Sequence, residues 1–196
     1  MLQSSSANYQ ALDGVNDLAV GNAASSSYQI EAGSKTTPDP WLSFTVDASN
    51  TNFGTFSSSA AATATMTFSV LNYTSYGYIV QISGSPPTIN THTIAAMTST
   101  AQSSPGSEQF GINMVANTSP TSFGADPDNG LFGFGIADPN YATPNYYRYV
   151  SGETIVSAPK SSGLTHYTLS EIVNVGPLTP GGSYLSQQTL IVTGTY

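Results

Sequence analysis

The chain has 196 residues, of which 39% are apolar and only 7% are charged, so it can bury one sizeable core but not two ordinary domains. The formal charge of -8 leaves Lys35, Arg148 and Lys160 as the basic residues, too few to form a patch for phosphates or anionic lipids. Composition therefore argues against nucleic acid as a partner. No apolar run reaches the roughly 20 residues that span a bilayer, so no membrane insertion is expected.

Small polar residues and tyrosines take the place of charges. The chain contains 29 Ser, 24 Thr, 12 Tyr and 18 Gly but no Cys. Thr and Tyr suit a half-hydrated pleated surface, and few stretches favour helix. We therefore expect an extracellular or cell-surface β-protein without a disulfide framework or a thiolate metal site. Ionisable groups are too few for tuned acid–base chemistry, which predicts that the protein is not an enzyme.

The first feature along the chain is a repeat. Residues 6–14 and 25–33 share Ser, Tyr, Gln and Gly at matching places, with an offset of 19 residues. Two copies are too few for a solenoid, so we expect two short extended segments that form an N-terminal arm, residues 1–37. A disordered Ser-rich leader is the alternative interpretation.

A proline break separates this arm from the rest of the chain. Pro38 and Pro40 push the residues before them towards extended conformations, which predicts a separate β-sandwich domain over residues 38–196. Period-2 alternation between turn signals predicts strands at residues 41–46, 64–70, 78–83, 110–114, 148–157, 165–175 and 188–196. The predicted fold is an all-β antiparallel sandwich, and the alternation assigns to its core Leu42, Phe44, Val46, Met66, Phe68, Val70, Val80, Ile82, Ile112, Leu169, Val173, Leu190 and Val192.

Three segments depart from simple alternation. Glu171 is in phase with the apolar residues of its strand, which predicts a bulge or an edge position where the carboxylate reaches water. The segment 190–192 is apolar on both faces, as in a central strand. The stretch 117–145 is rich in Pro, Gly, Asp and Asn, which predicts a loop region with one strand-like insert at 131–136.

Few residues could carry out catalysis. His92 and His166 are the only imidazoles, and the chain has neither a Gly-x-Ser-x-Gly elbow nor a His-Glu-x-x-His pair. Both histidines are predicted to be exposed strand residues. A secreted hydrolase would require one of them to be buried beside an acid and a Ser. The glutamates that could pair for glycoside hydrolysis are scattered singly, at Glu31, Glu108, Glu153 and Glu171.

The best metal candidate is an aspartate-rich loop. Asp126 and Asp128 precede Gly130 in the sequence, and Asp138 follows it. The pattern is similar to the opening of a calcium loop, in which oxygens at alternate positions surround the ion. No bidentate Glu follows, and a proline-containing turn explains the same residues. Ca²⁺ is therefore the one cofactor that the sequence suggests.

A tyrosine cluster is the candidate ligand surface. Tyr141, Tyr146, Tyr147 and Tyr149 lie close together in the sequence, and aromatic faces stack on sugar rings. A carbohydrate-binding module with a glycan as partner is therefore the alternative function. The other interpretation is that alternate tyrosines pack inward.

Two passages resemble the spore coat protein U family, a pilin-like module of archaic chaperone–usher fibres. They are FGTF at residues 53–56 and the ending GSYL at 182–185 followed by QTLIVTGTY at 188–196. The family commonly has a cysteine in each of its first two strands, where this chain has Phe44 and Ser69. Tyr184 and the segment 108–117 also resemble parts of secreted surface proteins of candidate-phylum bacteria.

The resemblance implies an immunoglobulin-like, pilin-like sandwich that is displayed outside the cell. It also implies a structural or adhesive module, joined to its own copies or to another surface protein by a donated N-terminal strand. The side chains that would enter a neighbour's groove are Tyr9, Ala11, Tyr28 and Ile30. If the arm folds onto its own domain instead, the protein is a monomer.

Overall fold

The computed structural model describes residues 3–6, 9–12, 21–24, 29–32, 41–47, 51–73 and 76–195, and up to residue 32 it describes backbone pairing alone. The strands are β1 Gln3–Ser6, β2 Tyr9–Leu12, β3 Gly21–Ala24, β4 Gln29–Ala32, β5 Leu42–Val46, β6 Ala62–Asn72, β7 Tyr78–Gly84, β8 Thr88–Ile89, β9 His92–Thr93, β10 Ala101–Gln102, β11 Gln109–Asn113, β12 Ile136–Ala137, β13 Tyr146–Tyr147, β14 Thr154–Ala158, β15 Ser162–Asn174 and β16 Gln188–Gly194. Within the described residues, the helical structure is one 3-10 turn at Pro139–Tyr141, and no helix is long and apolar enough to cross a membrane.

The described residues of the N-terminal repeat belong to an antiparallel sheet with the strand order β1-β2-β3-β4. Of the matching Tyr-Gln pairs, Gln10 lies in β2 and Gln29 lies in β4. We expected two extended segments, but the described backbone forms four strands. Of the predicted donor side chains, Tyr9, Ala11 and Ile30 belong to these strands, whereas Tyr28 lies outside the described residues.

The main body contains two four-stranded antiparallel sheets and the two-stranded antiparallel sheets β8-β9 and β10-β13, which confirms the all-β antiparallel prediction. The first sheet has the order β11-β15-β6-β5 and the second has the order β12-β14-β7-β16. The longest ladder joins β6 to β15 and runs from the pair Val70 and Thr165 to the pair Ala62 and Val173. The first sheet is therefore built around two long neighbouring strands.

The inward-facing side chains of both sheets form one hydrophobic cluster. Phe68 and Tyr167 stack with their ring centroids 5.0 Å apart, and the Tyr167 hydroxyl shares a 2.7 Å hydrogen bond with the hydroxyl of Tyr78 on the other sheet. Burial raises the pKa of both hydroxyls, so they remain neutral partners. This hydrogen bond ties the two sheets together inside the core.

Most of the predicted core is correct. The predicted residues that are fully buried are Phe68, Val70, Val80, Ile82, Ile112, Leu169 and Val173. The predicted residues that are half-buried and pack against the core are Phe44, Met66, Leu190 and Val192. The prediction is wrong for Leu42 and Val46, which are 36% and 39% exposed. Both lie on β5, the outermost strand of its sheet, where one side of each side chain meets solvent.

Two irregular features, Glu171 and the segment 190–192, differ from expectation, whereas the stretch 117–145 is largely a loop region as predicted and differs only in its insert. Glu171 lies in the middle of an inner strand, paired with Ile112 and Ala64 without a bulge. The segment 190–192 belongs to β16, which is an edge strand. The insert at 131–136 contributes to a strand only through Ile136, the first residue of β12.

Two matched leucine truncations test this assignment of the core. Leu169→Ala should lower the free energy of unfolding by about 2–5 kcal/mol because it leaves a cavity at a fully buried position. Leu131→Ala, at a side chain that is 91% exposed, should change it by less than about 0.5 kcal/mol. Urea unfolding followed by tyrosine fluorescence measures both, and equal effects would contradict the assignment.

Candidate functional site

One cavity of the structure, of about 220 Å³, has a buried carboxyl group in its wall. It lies between the segment that follows β5, the inner face of β15 and the segment that leads into β16. Its walls are Thr51, Phe53, Phe56, Met66, Pro87, Glu171, Tyr184, Leu185, Ser186 and Gln188. A wider cleft of about 670 Å³ shares the walls Thr51, Phe53, Phe56 and Tyr184.

Aromatic rings form one wall of this cavity. The amide oxygen of Asn52 accepts a 2.8 Å hydrogen bond from the backbone N–H of Gly54, and Gly54 has a φ of 69°, so the chain turns tightly there. The turn brings Phe53 and Phe56 together with ring centroids 6.3 Å apart. Phe56 also packs at 5.7 Å against Tyr184. The turn and the loop before β16 therefore present three contiguous rings.

Glu171 is the carboxyl group of the cavity. Glu171 is only 4% exposed, and its Oε2 accepts a 3.2 Å hydrogen bond from the hydroxyl of Thr51. No other described residue donates a hydrogen bond or a positive charge to it. Loss of hydration raises the pKa of Glu171 to about 7, because a charged form without a counterion is disfavoured in an apolar site.

This raised pKa predicts a pH dependence of stability. The folded state holds the Glu171 proton more tightly than the unfolded chain, so the stabilisation is complete below pH 4.5 and is lost as pH rises through about 7. The unmodified protein should therefore lose free energy of unfolding on the order of 3 kcal/mol between pH 4.5 and 8, and Glu171→Gln should abolish this loss. Urea unfolding of both proteins across this range measures the difference, with Asp128→Asn as a control for an exposed acid.

A second polar cluster lies behind Tyr184. Glu108 Oε1 accepts a 2.6 Å hydrogen bond from the Thr179 hydroxyl and lies 2.9 Å from His92 Nε2. The His92 ring meets the Tyr184 ring edge-on at 6.2 Å. His92 is thus a strand residue whose side chain is only partly exposed, at 33%, whereas His166 is exposed as predicted. The hydroxyl of Thr179 donates to the carboxylate of Glu108 and not to the imidazole of His92. This cluster therefore lacks the nucleophile–base contact of a triad.

The tyrosine cluster is not the aromatic surface that the sequence suggested. Tyr141, Tyr147 and Tyr149 are at most 2% exposed, and only Tyr146 reaches solvent, with 38% of its surface. The buried hydroxyls donate hydrogen bonds to Glu153, to the carbonyl of Ser119 and to the carbonyl of Gly84, respectively. These three rings cannot stack on a sugar, which leaves Tyr146 as the one exposed member of the proposed glycan site.

The aspartates of the proposed calcium loop accept local backbone hydrogen bonds. Asp126 binds the N–H of Ala116, Asp128 binds the N–H of Gly130 and Asp138 binds the N–H of Asn140. In the described part of the chain, no three or more acidic, His or Cys side chains form a group that could hold a metal ion. Calcium binding at these residues stays a prediction.

The outer edge of β5 is a second candidate site. The backbone N–H of Tyr73 donates to the carbonyl of Trp41, and the N–H of Asp47 donates to the carbonyl of Thr67. This antiparallel register directs the backbone groups of Ser43 and Thr45 towards β6 and those of Leu42, Phe44 and Val46 away from it. No strand described in residues 3–195 pairs with this outer edge.

Sequence reasoning missed the cavity but contained a signal for it. Glu171 was recognised as an acid in phase with apolar residues, and that phase does direct it to the core. The contact with Thr51 spans 120 residues, which no local pattern reveals. Comparison with family models, curated proteins and solved structures found no match for this chain, so the site rests on its geometry.

Proposed function

We propose that the protein is a structural or adhesive module of the cell surface, not an enzyme, and that its copies join by strand addition. The observation that carries this proposal is the open outer edge of β5. Unpaired N–H and C=O groups on a sheet edge form a template for another strand, and their main-chain hydrogen bonds provide affinity.

The side chains of β5 favour such pairing. Leu42 and Val46 are exposed, and Phe44 is half-buried, with its ring centroid 5.8 Å from that of Phe68. Another strand along this edge would cover all three. The sequence of β5, LSFTV, contains no charged residue, so the charges that usually protect an open edge are missing from the strand itself.

The N-terminal segment is the proposed donor. β1 and β4 are the outer strands of their sheet, so each has one edge that can accept or provide a partner. The resemblance to the spore coat protein U family supports an immunoglobulin-like, pilin-like sandwich with strand donation outside the cell. In this proposal, the donated residues come from residues 1–37.

Paired lysine substitutions test the edge directly. Leu42→Lys with Val46→Lys should keep the protein monomeric, because two charges on the edge oppose the approach of another strand. The control, Leu131→Lys with Leu178→Lys, adds the same charge at loop positions that are 91% and 95% exposed. Light scattering after size-exclusion chromatography, over a series of concentrations, measures the mass of each.

The unmodified protein and the control should gain mass with concentration, and the β5 variant should not. A monomeric unmodified protein at every concentration would contradict self-joining. Association of the β5 variant to the same extent as the control would show that another surface is responsible.

A further inference from the structure

We propose that the cavity at Glu171 binds the primary ammonium end of an aliphatic chain, as carried by a lysine side chain or a free alkylamine. This binding does not depend on strand addition at β5. The cavity and the β5 edge are separate surfaces, so the two proposals can fail independently.

The carboxyl group of Glu171 lacks a counterion. Thr51 donates to Oε2, and no described residue donates to Oε1. The described basic side chains are engaged elsewhere, since Lys160 lies 3.6 Å above the ring of Phe134 and Arg148 pairs with Glu153. A buried carboxylate is stable when it has both a positive charge and hydrogen-bond donors, and an ammonium group supplies both.

The aromatic wall fits the same ligand. Phe53, Phe56 and Tyr184 line the cavity beside Glu171, and the face of an aromatic ring attracts a cation that lies within about 6 Å of its centroid. The methylene groups of an alkylamine would contact the same rings and Met66. The cavity of about 220 Å³ equals the volume of about seven water molecules in the liquid, which suits the end of a flexible chain.

The remaining polar walls favour an ammonium group over a sugar. Ser186 donates to the carbonyl of Ser85, and Gln188 bonds through its amide nitrogen to the same carbonyl and through its oxygen to Tyr149. A sugar needs several free donors and acceptors around its ring. Here one anionic acceptor, Glu171, dominates the wall.

Few titratable groups surround this carboxyl. Tyr184 is the other titratable residue of the lining, and Tyr149 approaches through its hydrogen bond to Gln188. His92 and Glu108 lie behind the Tyr184 ring. Because Glu171 alone contributes a carboxylate to the wall, ligand affinity should follow its ionisation.

Isothermal titration calorimetry of the full chain with n-pentylammonium tests the proposal. Binding at pH 5.5 should be about thirtyfold weaker than at pH 8, which is the ratio of ionised fractions for a pKa of about 7. The neutral isostere 1-pentanol should bind at least about tenfold more weakly than n-pentylammonium at pH 8, because it leaves the carboxylate without a countercharge.

Variants separate the site from general charge effects. Glu171→Gln should lose at least about tenfold in affinity at pH 8, whereas Asp128→Asn, which removes the same charge from an exposed loop, should bind as the unmodified protein does. Tyr184→Leu keeps the carboxyl and should weaken binding through loss of the ring. Circular dichroism of each variant confirms that the fold is retained.

The two sources of the ammonium group are distinguished by a second ligand. Tighter binding of Nα-acetyl-lysine methylamide than of n-pentylammonium would identify a protein lysine, and the reverse order would identify a free alkylamine. Absence of binding, equal binding of 1-pentanol, or unchanged binding by Glu171→Gln would overturn the proposal. Binding of methyl glucoside in preference to both amines would also overturn it, since the site would then recognise sugars.

Discussion

The burial of one carboxyl group on the core-facing side of β15 is the constraint on which the candidate site depends. The pleat that directs Leu169 and Val173 into the core also directs Glu171 there, because alternate residues of a strand share a face. A lone buried acid is costly unless a partner or a proton compensates for it. In this protein, the compensation consists of one hydroxyl, a raised pKa and a cavity beside the carboxyl.

β5 forms the border of its sheet, and residues that follow it in the sequence line the cavity. From Thr51 onwards, the turn that carries Phe53 and Phe56 lines the cavity beside Glu171. The outer backbone groups of β5 meanwhile have no partner strand in the described part of the chain. The two proposals assign to these features one means of joining copies and a separate means of holding a cationic group. The low content of charged residues leaves few competing electrostatic sites.

Period-2 alternation predicted the strands and most of the core, because it reports which face of a strand is apolar. It does not report where a strand lies in its sheet. Alternation therefore assigns Leu42 and Val46 to the core and predicts a central strand at 190–192, whereas all of them lie on edge strands. Glu171 shows the same limit. Its phase was right, but the inference of an edge or a bulge was wrong, because the compensating groups come from distant parts of the chain.

The site itself could not be predicted from local patterns. Thr51 and Glu171 lie 120 residues apart, and Tyr184 reaches the same cavity from a loop without periodicity. The sequence leaves open whether the tyrosine cluster forms a surface or packs inward, because proximity in sequence does not distinguish rings that face solvent from rings that face the core. Irregular backbone places Tyr141 and Tyr149 in the core, where no alternation pattern applies.

Direct titration of the Glu171 carboxyl tests the central claim most closely. Carbon-13 NMR of protein labelled at the glutamate side chains, with Glu171→Gln used to assign the resonance, reports its ionisation without any ligand. The account predicts a pKa of about 7 for this carboxyl in the folded protein. A value near the ordinary 4.5 would mean that the carboxyl is hydrated or paired, and would contradict a buried acid without a counterion at the centre of the site.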